Sequence, residues 1–488
     1  MNEIFEKKIF KYLPIALIFL LAFILRFYNL NSEDFWTDEM FAYWTTDPNI
    51  SFKDTIVRTL SSNFNSLFDF LLKSFHIIFG YDVHTSRYFV LFFSLVSLIL
   101  FAYLLNNTSG YKSLIFGFFL LSINIFHIKY SQELRSYIIT FVLALIFIIL
   151  NFKKGKIENN ISYKKIFTII FLSILMVLNH SFSILILLSL ILFKLIFFFK
   201  IKKIAVKEVF LITSLSFVIL LYLFVYLPIN INYSEYFEAS LAPHWIKPTD
   251  LGFFTNFYFS SFFGSRILGL IYLISLIYLI CKNRIKIFFE LNIFTFFVIL
   301  IFLSYFLPVV YGFIFAPVLT SRYVIFLLIP IIFIISHFIF LDENKFIKIL
   351  LIFLIVVVTS FNHLLYENSF KQFYKEIYPT KPQIKRSLEI INKSNTKVYS
   401  IKKFEAKEKN LNEVYKNYIE NYIKKINFKL INLNDKSDYN NIESFWIIYI
   451  SDVRSNTFEK SEKLNNIFKI EKIIELNSLS LIKLKKFY

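Results

Sequence analysis

About eleven long apolar runs restrict this chain more than any other feature. They lie near residues 12–30, 86–105, 112–128, 137–152, 166–180, 182–199, 208–228, 266–281, 288–308, 322–341 and 347–365. A helix needs about 20 apolar residues to cross the hydrocarbon core of a bilayer, and most of these runs are near that length. The runs near 112–128, 137–152 and 166–180 are short, which suits tilted or partly re-entrant segments. Composition agrees. Of 488 residues, 57% are hydrophobic and only 18% are charged, below the roughly 25% charged of a soluble domain. The 65 Phe exceed the need of one water-soluble core, so lipid is the solvent that the surplus faces. The expected fold class is a polytopic α-helical membrane protein with a small C-terminal α/β domain.

Net charge is +19. A basic balance can signal nucleic acid, but here the Lys and Arg residues sit in short loops between apolar runs and in the tail. No nucleic-acid partner is expected. The single cysteine, Cys281, excludes an intramolecular disulfide framework. The first run follows Lys7, Lys8 and Lys11 and has no A-x-A-like site after it. It reads as a retained anchor, not a cleaved signal.

Lysine placement sets the sidedness. With the N-terminus in the cytoplasm, the inner loops carry Lys112, Lys153-Lys154-Gly155-Lys156, Lys164-Lys165, Lys200, Lys202, Lys203 and Lys207. They also carry Lys282, Arg284 and Lys286, then Lys345 and Lys348. The outer face then holds a first loop at about 31–85, His127 to Ser136, Asn179-His180-Ser181, Asn230 to Arg266, Tyr311 to Arg322, and everything after about 366. The expected location is the inner or plasma membrane, with a multi-pass domain over 1–365 and an extracytoplasmic domain over 366–488. In that tail Lys397 to Ile401, Phe428 to Leu433 and Phe445 to Asp452 read as strands. Leu411 to Ile423 and Phe458 to Phe468 read as amphipathic helices, and Lys472 to Phe487 as a hairpin around Asn477-Ser478. The tail carries no Gly-rich phosphate loop and no His/Cys metal cluster.

Two polar clusters fall on the outer face. The first is Glu33-Asp34-Phe35-Trp36-Thr37-Asp38-Glu39. One reading is a solvated loop leading into a helix, since acids favour a helix N-terminus. The other is an acid pair held at the interface, because Trp36, Phe41, Tyr43 and Trp44 suit a helix lying at headgroup level. The second cluster runs from His127 to Tyr137 and contains Glu133 and Arg135. It reads either as a snorkelling turn or as a phosphate site, for which the planar guanidinium of Arg135 is suited. His180 opens a span on the same face, as do Arg87 with Tyr88 and Arg322 with Tyr323. Singly such residues are anchors. Three arginines at span starts on the lysine-poor side break the charge bias and point to an anionic ligand.

These landmarks resemble the GT-C glycosyltransferases, specifically the protein O-mannosyltransferase and aminoarabinose-transferase-like group. Phe35-Trp36-Thr37-Asp38-Glu39-Met40-Phe41-Ala42-Tyr43 is similar to its first-loop acidic motif, and Phe79-Gly80 followed by Ser86-Arg87-Tyr88 to its approach to the second span. Tyr130-Ser131-Gln132-Glu133-Leu134-Arg135-Ser136-Tyr137 resembles a further motif; Leu178-Asn179-His180 and Ser321-Arg322-Tyr323, with Pro330 beyond, match later ones. The similarity covers about 10–345. It departs where the family has a Pro-rich stretch in the first loop; here that segment reads Asn63-Phe64-Asn65-Ser66-Leu67-Phe68-Asp69.

The resemblance implies an inverting glycosyltransferase that moves a sugar from a polyprenyl-phosphate donor to an acceptor hydroxyl on the extracytoplasmic face. The acceptor class stays open between glycan, lipid and protein. Asp38 is the expected general base and Glu39 the second carboxylate. Arg135, Arg322 and Arg87 are the expected donor-phosphate ligands, with Tyr137 and His180 adding hydrogen bonds and Glu133 orienting Arg135. No cofactor is evident, and a divalent metal at Asp38 and Glu39 is compatible with the taste of hard cations for carboxylates. The alternatives are a lipid or glycan transporter or flippase, and a membrane scaffold or receptor. Transporters favour inverted repeats and Gly/Pro-broken helices; this chain has 8 Gly and shows no repeat.

Overall fold

The computed structural model describes residues 2–28, 30–62, 66–157, 161–201, 205–229, 258–315, 317–366, 381–403, 411–422, 429–431, 442–450, 464 and 466–487. Each of the eleven apolar runs is helical over most of its length. Helices α1 (Asn2–Phe27), α2 (Thr37–Thr45), α3 (Phe52–Ser62), α4 (Ser66–Phe79) and α5 (Val83–Thr108) come first. Then follow α6 (Tyr111–Ile123), α7 (Ile125–Ser131), α8 (Tyr137–Asn151), α9 (Tyr163–Asn179), α10 (Ile184–Ile201) and α11 (Val206–Leu221). After a short α12 (Tyr258–Phe263) come α13 (Arg266–Lys282), α14 (Ile293–Ile314), α15 (Leu328–Leu341) and α16 (Lys345–Phe353). The run read from 288 starts its helix at 293, because Asn292 caps α14 by accepting the Phe294 amide at 2.9 Å.

Among the described residues six helices are long and apolar enough to span a membrane, and the bent pair α6–α7 makes a seventh if it is one span. The apolar part of α1, Tyr12–Phe27, and α8 are shorter apolar helices. The bend is 56° and has a local cause. Asn124 leaves the helical conformation, and its side chain accepts the His127 amide at 2.9 Å. Its amide also donates to the Phe262 carbonyl on α12 at 2.9 Å. Asparagine competes with the helix for backbone partners, so the span breaks there.

Helix α6 comes close to α15 and α5 at Gly117. A Cβ there would lie 2.6 Å from Ser336 Oγ and 2.8 Å from Leu105, so a larger residue would force those side chains to shift. Deep in the bundle Arg26 is fully buried. It donates to Ser94 Oγ, to the carbonyls of Ala22, Leu121 and Ser122, and contacts His127 Nδ1 at 3.0 Å; His127 Nε2 contacts Ser97 Oγ at 3.0 Å. This ties α1, α5, α6 and α7 together. An intramembrane cation is tolerable only when so many acceptors surround it.

A two-residue hairpin, β1 (Phe152–Lys153) and β2 (Lys156–Ile157), turns through left-handed Lys154 and Gly155. The tail is the expected small α/β unit. Helix α17 (Ile384–Lys393) precedes β3 (Val398–Lys403), α18 (Leu411–Tyr422), β4 (Lys429–Leu430), β5 (Ser444–Ile450), β6 (Phe468–Leu476) and β7 (Leu479–Lys486). The sheet order is β4-β3-β5-β7-β6; β3 runs parallel to β4 and β5, while β5–β7 and β7–β6 are antiparallel. The described parts of the three strands and the hairpin fall where the sequence places them, with Ser478 in the left-handed turn at φ 52; residues 428, 432–433 and 451–452 lie outside the described residues. Helix α17 escaped the sequence reading. Of the helix expected over 458–468, residues 458–463 lie outside the described residues, and Phe468 starts β6 instead. The loop expected over 230–266 is described only from 258, and Lys202 and Lys203 also lie outside the described residues.

Candidate active site

The first loop folds into α2, α3 and α4, and α2 carries the acid pair. Two backbone amides point back to Trp36, those of Glu39 at 2.9 Å and Met40 at 3.0 Å, and start the helix there. Adjacent residues on a helix face different directions. Asp38 and Glu39 accordingly meet different surroundings.

Glu39 is turned inward and fully buried. Its Oε1 accepts from Arg87 at 3.2 Å and from the Leu134 amide at 2.8 Å. Its Oε2 accepts from Lys381 Nζ at 2.7 Å and from the Trp36 amide at 3.3 Å. Burial pushes this carboxyl up, but Arg87 and Lys381 outweigh it and hold it below its ordinary value. Arg87 is consumed in the same knot. It also donates to the carbonyls of Leu30, Glu33 and Asp34 at 3.0, 2.7 and 3.2 Å. The guanidinium read from the sequence as a phosphate ligand thus ties the first loop to the start of α5.

Asp38 is turned the other way, and its side chain keeps 29% of its exposure against none for Glu39. Arg135 lies 3.7 Å from Asp38 Oδ2 and donates to the Asp38 carbonyl at 3.1 Å. Burial would draw Arg135 toward neutrality, but Asp38 and Tyr137 oppose it and its pKa is raised. Arg322, at the start of a 3₁₀ turn over Ser321–Leu327, sits over three rings: Trp36 at 5.2 Å, Tyr323 at 5.6 Å and Tyr137 at 5.9 Å. Such contacts hold a cation in place without neutralising it.

His180 completes this end. It is buried, its ring is 5.2 Å from that of Tyr323 and 5.8 Å from that of Tyr137, and its Nδ1 accepts the Phe182 amide at 3.3 Å. Accepting at Nδ1 places the proton of the neutral ring on Nε2. Asn179 beside it donates to the Ser136 carbonyl at 3.1 Å and to Thr140 at 2.8 Å, which locks α9 to the start of α8. Glu133 is buried with Oε2 unpartnered. Burial pushes its carboxyl up, against Lys381 and Lys129. Among the described residues its side chain makes no hydrogen bond or ion pair with Arg135. Its backbone carbonyl does receive the Arg135 amide, at 2.8 Å.

The structure therefore brings Asp38, Arg135, Tyr137, His180 and Arg322 to one end of the bundle, and pairs Glu39 with Arg87. Two residues there escaped the sequence reading. Lys381 reaches Glu39 from the start of the tail. Asp69 on α4 is fully buried, accepts from Thr59 at 2.8 Å through Oδ2, and has no partner at Oδ1. Burial pushes its carboxyl up to about 7, although Thr59 and Arg135 pull the other way. The departure from the Pro-rich pattern at Asp69 was the only signal for it. Among the described residues no group of three or more His, Cys, Asp or Glu gathers as a metal site.

No family model matches the sequence, and no curated protein matches it. Solved structures do. ArnT from Cupriavidus metallidurans superimposes in its apo state with a TM-score of 0.54 and 8% identity, over 96% of this chain and 97% of that one. The same protein bound to undecaprenyl phosphate gives 0.55 at 8% identity and the same coverage. This chain shares the fold of ArnT. The oligosaccharyltransferase of Archaeoglobus fulgidus, in a complex with Zn and sulfate, gives 0.50 at 10% identity, over 89% of this chain and 68% of that one. At these identities the likeness is one of architecture. It extends through the tail as well as the bundle, since nearly the whole of both chains is matched in the ArnT comparison.

Proposed function

We propose that this protein is an inverting glycosyltransferase that takes a sugar from a polyprenyl-phosphate donor and delivers it to an acceptor hydroxyl. One observation carries the reading: a partly exposed carboxylate, Asp38, faces two aromatic-framed arginines, Arg135 and Arg322, at the end of a GT-C bundle. Transfer with inversion needs a base for the acceptor proton on one side of the anomeric carbon. It needs positive charge on the other, where the leaving phosphate gathers electrons. Asp38 takes the proton as the acceptor oxygen bonds to the anomeric carbon. The C1–O bond to phosphate breaks, and Arg135 and Arg322 receive the lipid phosphate. Tyr137 and His180 Nε2–H supply further donors, and Glu39 with Arg87 fixes the helix that bears the base. Glu133 lines the site through its buried carboxyl.

The ArnT likeness includes a complex with undecaprenyl phosphate, which supports a lipid-phosphate donor here. The reading uses no metal at the acid pair, because Glu39 already serves two cations and leaves one carboxylate for an ion. The lysine bias of the loops supports an extracytoplasmic site and tail, with the N-terminus in the cytoplasm. A transporter or flippase would use the same bundle differently. Purified protein in detergent, given a labelled polyprenyl-phosphate sugar and a mixture of envelope acceptors, separates the two. Transfer without a sealed compartment supports the enzyme; label movement only across intact vesicles, with no product formed, contradicts it.

A further inference from the structure

The tail packs on the first loop through a dense set of polar contacts. Tyr418 Oη accepts the Phe35 amide at 3.2 Å, and Tyr415 and Thr37 hydroxyls meet at 2.9 Å. Tyr81 Oη donates to Asn417 Oδ1 at 2.7 Å, and the Lys385 amide donates to Asp34 at 2.8 Å. Helix α18 thus covers α2 and the residues just before the acid pair. One contact goes further than covering. Lys381 Nζ reaches Glu39 Oε2 at 2.7 Å, with its own side chain mostly buried.

Lys381 is held from behind by the β6–β7 hairpin. Asn477 donates to the Lys381 carbonyl at 3.1 Å, while the amide of Asn477 donates to Gln383 Oε1 at 3.0 Å. The other oxygen of Glu39 accepts the Leu134 amide at 2.8 Å, immediately before Arg135. A continuous chain of contacts therefore runs from the sheet turn through Lys381 and Glu39 to the residue that precedes Arg135. Arg87 also reaches Glu39 Oε2, but at 3.3 Å against 2.7 Å for Lys381, and its guanidinium is shared with three carbonyls.

We propose that Lys381 is a positioning residue of the active site, so that the C-terminal domain completes the site and is not merely attached to it. The proposal rests on the sugar-transfer reading above. Lys381 fixes the second oxygen of Glu39. Glu39 then holds α2, which carries Asp38, in register with the turn that carries Arg135. Loss of the ammonium leaves Glu39 with one cation, raises its pKa and frees the 132–136 turn. Small errors in placement of this kind cost about a hundredfold in rate.

The test compares full-length wild type, Lys381→Met and Lys381→Arg. Transfer kinetics are read over pH, and amide hydrogen exchange over residues 132–137. The expected result for Lys381→Met is a fall in kcat of about tenfold to a hundredfold at nearly constant acceptor KM. The acid limb of its pH profile moves to higher pH and exchange over 132–137 is faster. Lys381→Arg, which keeps the charge, restores most of the rate and the exchange protection. Wild-type kinetics and exchange in Lys381→Met overturn the proposal. So does an equal loss in both variants that tracks a lower Tm, which makes Lys381 a folding contact only. If the wild type transfers no sugar, the enzymatic reading fails by itself, and the exchange comparison still decides whether Lys381 orders the turn.

Discussion

The two faces of helix α2 belong to different regions of the molecule. The face bearing Glu39 looks into a closed knot of Arg87, Lys381 and the Leu134 amide, in which both carboxylate oxygens are taken. The face bearing Asp38 looks toward Arg135 and Arg322, where the cations lie against aromatic rings and the nearest ion pair is 3.7 Å long. Two neighbouring acids thus share a motif and divide its labour. In the proposed reaction the closed region holds geometry and the open one meets the substrate. The same contrast recurs in the bundle, where Arg26 is enclosed by carbonyls, the Ser94 hydroxyl and His127 and joins helices.

Asp38 apart, the knot should show the largest effect. Glu39→Gln leaves two buried cations short of their carboxylate, and breaking a buried pair costs about 3–5 kcal/mol. Thermal unfolding in detergent should show a large fall in Tm, with donor binding lost only as the fold is lost. A Tm like that of wild type would mean that the knot is not structural. The sign with pH follows from the depressed carboxyl. Glu39 adds its full stability above the ordinary carboxylate range, and the contribution is lost as pH falls to the lower folded value. On the open side, Arg135→Ala should cost about 10²–10³ in kcat, the range for one stabilising donor. Its Tm should stay close to wild type, and weak donors should suffer with strong ones. A large Tm loss with an unchanged rate would reverse the assigned roles.

A further, pH-dependent effect is expected at Asp69. Its carboxyl is pushed up to about 7, so the folded state holds this proton more tightly than the unfolded chain. Stability from this group is present below pH about 4 and is lost as pH rises to about 7. Asp69→Asn should flatten that part of the Tm profile. An unchanged slope would show that Asp69 ionises as it does in the unfolded chain.

The bundle was legible because apolar length is a direct signal. All eleven runs are helical over most of their length; Asn292 moves the start of one, and Asn124 breaks another in its interior. The strands at 398–403 and 444–450 and the hairpin at 477–478 were legible for the same reason: alternation and turn residues are local. Loop sidedness groups Asp38, Glu133, Arg135, His180 and Arg322, and in the structure Asp38, Arg135, His180 and Arg322 gather around Tyr137 although they are far apart in sequence. Arg87 was visible as a residue but not in its bond, because a cation at a span start looks alike whether it meets phosphate or carboxylate. Lys381 left no trace at all. It is one cation among 53 Lys and Arg, and its importance lies in a contact across 342 residues. Asp69 stood out only as an acid in place of an expected proline-rich stretch, and its burial comes from α4 packing against the bundle.

The most direct test of the division of labour is a paired measurement on Asp38→Asn: equilibrium binding of a labelled polyprenyl-phosphate sugar and transfer of that sugar to acceptor. The side chain keeps its size and loses its capacity to take a proton, and positioned general bases contribute about 10²–10⁴ in rate. The account predicts a folded protein that binds donor as wild type does and transfers sugar at least about a hundredfold more slowly. Transfer at near-normal rate by Asp38→Asn would contradict it.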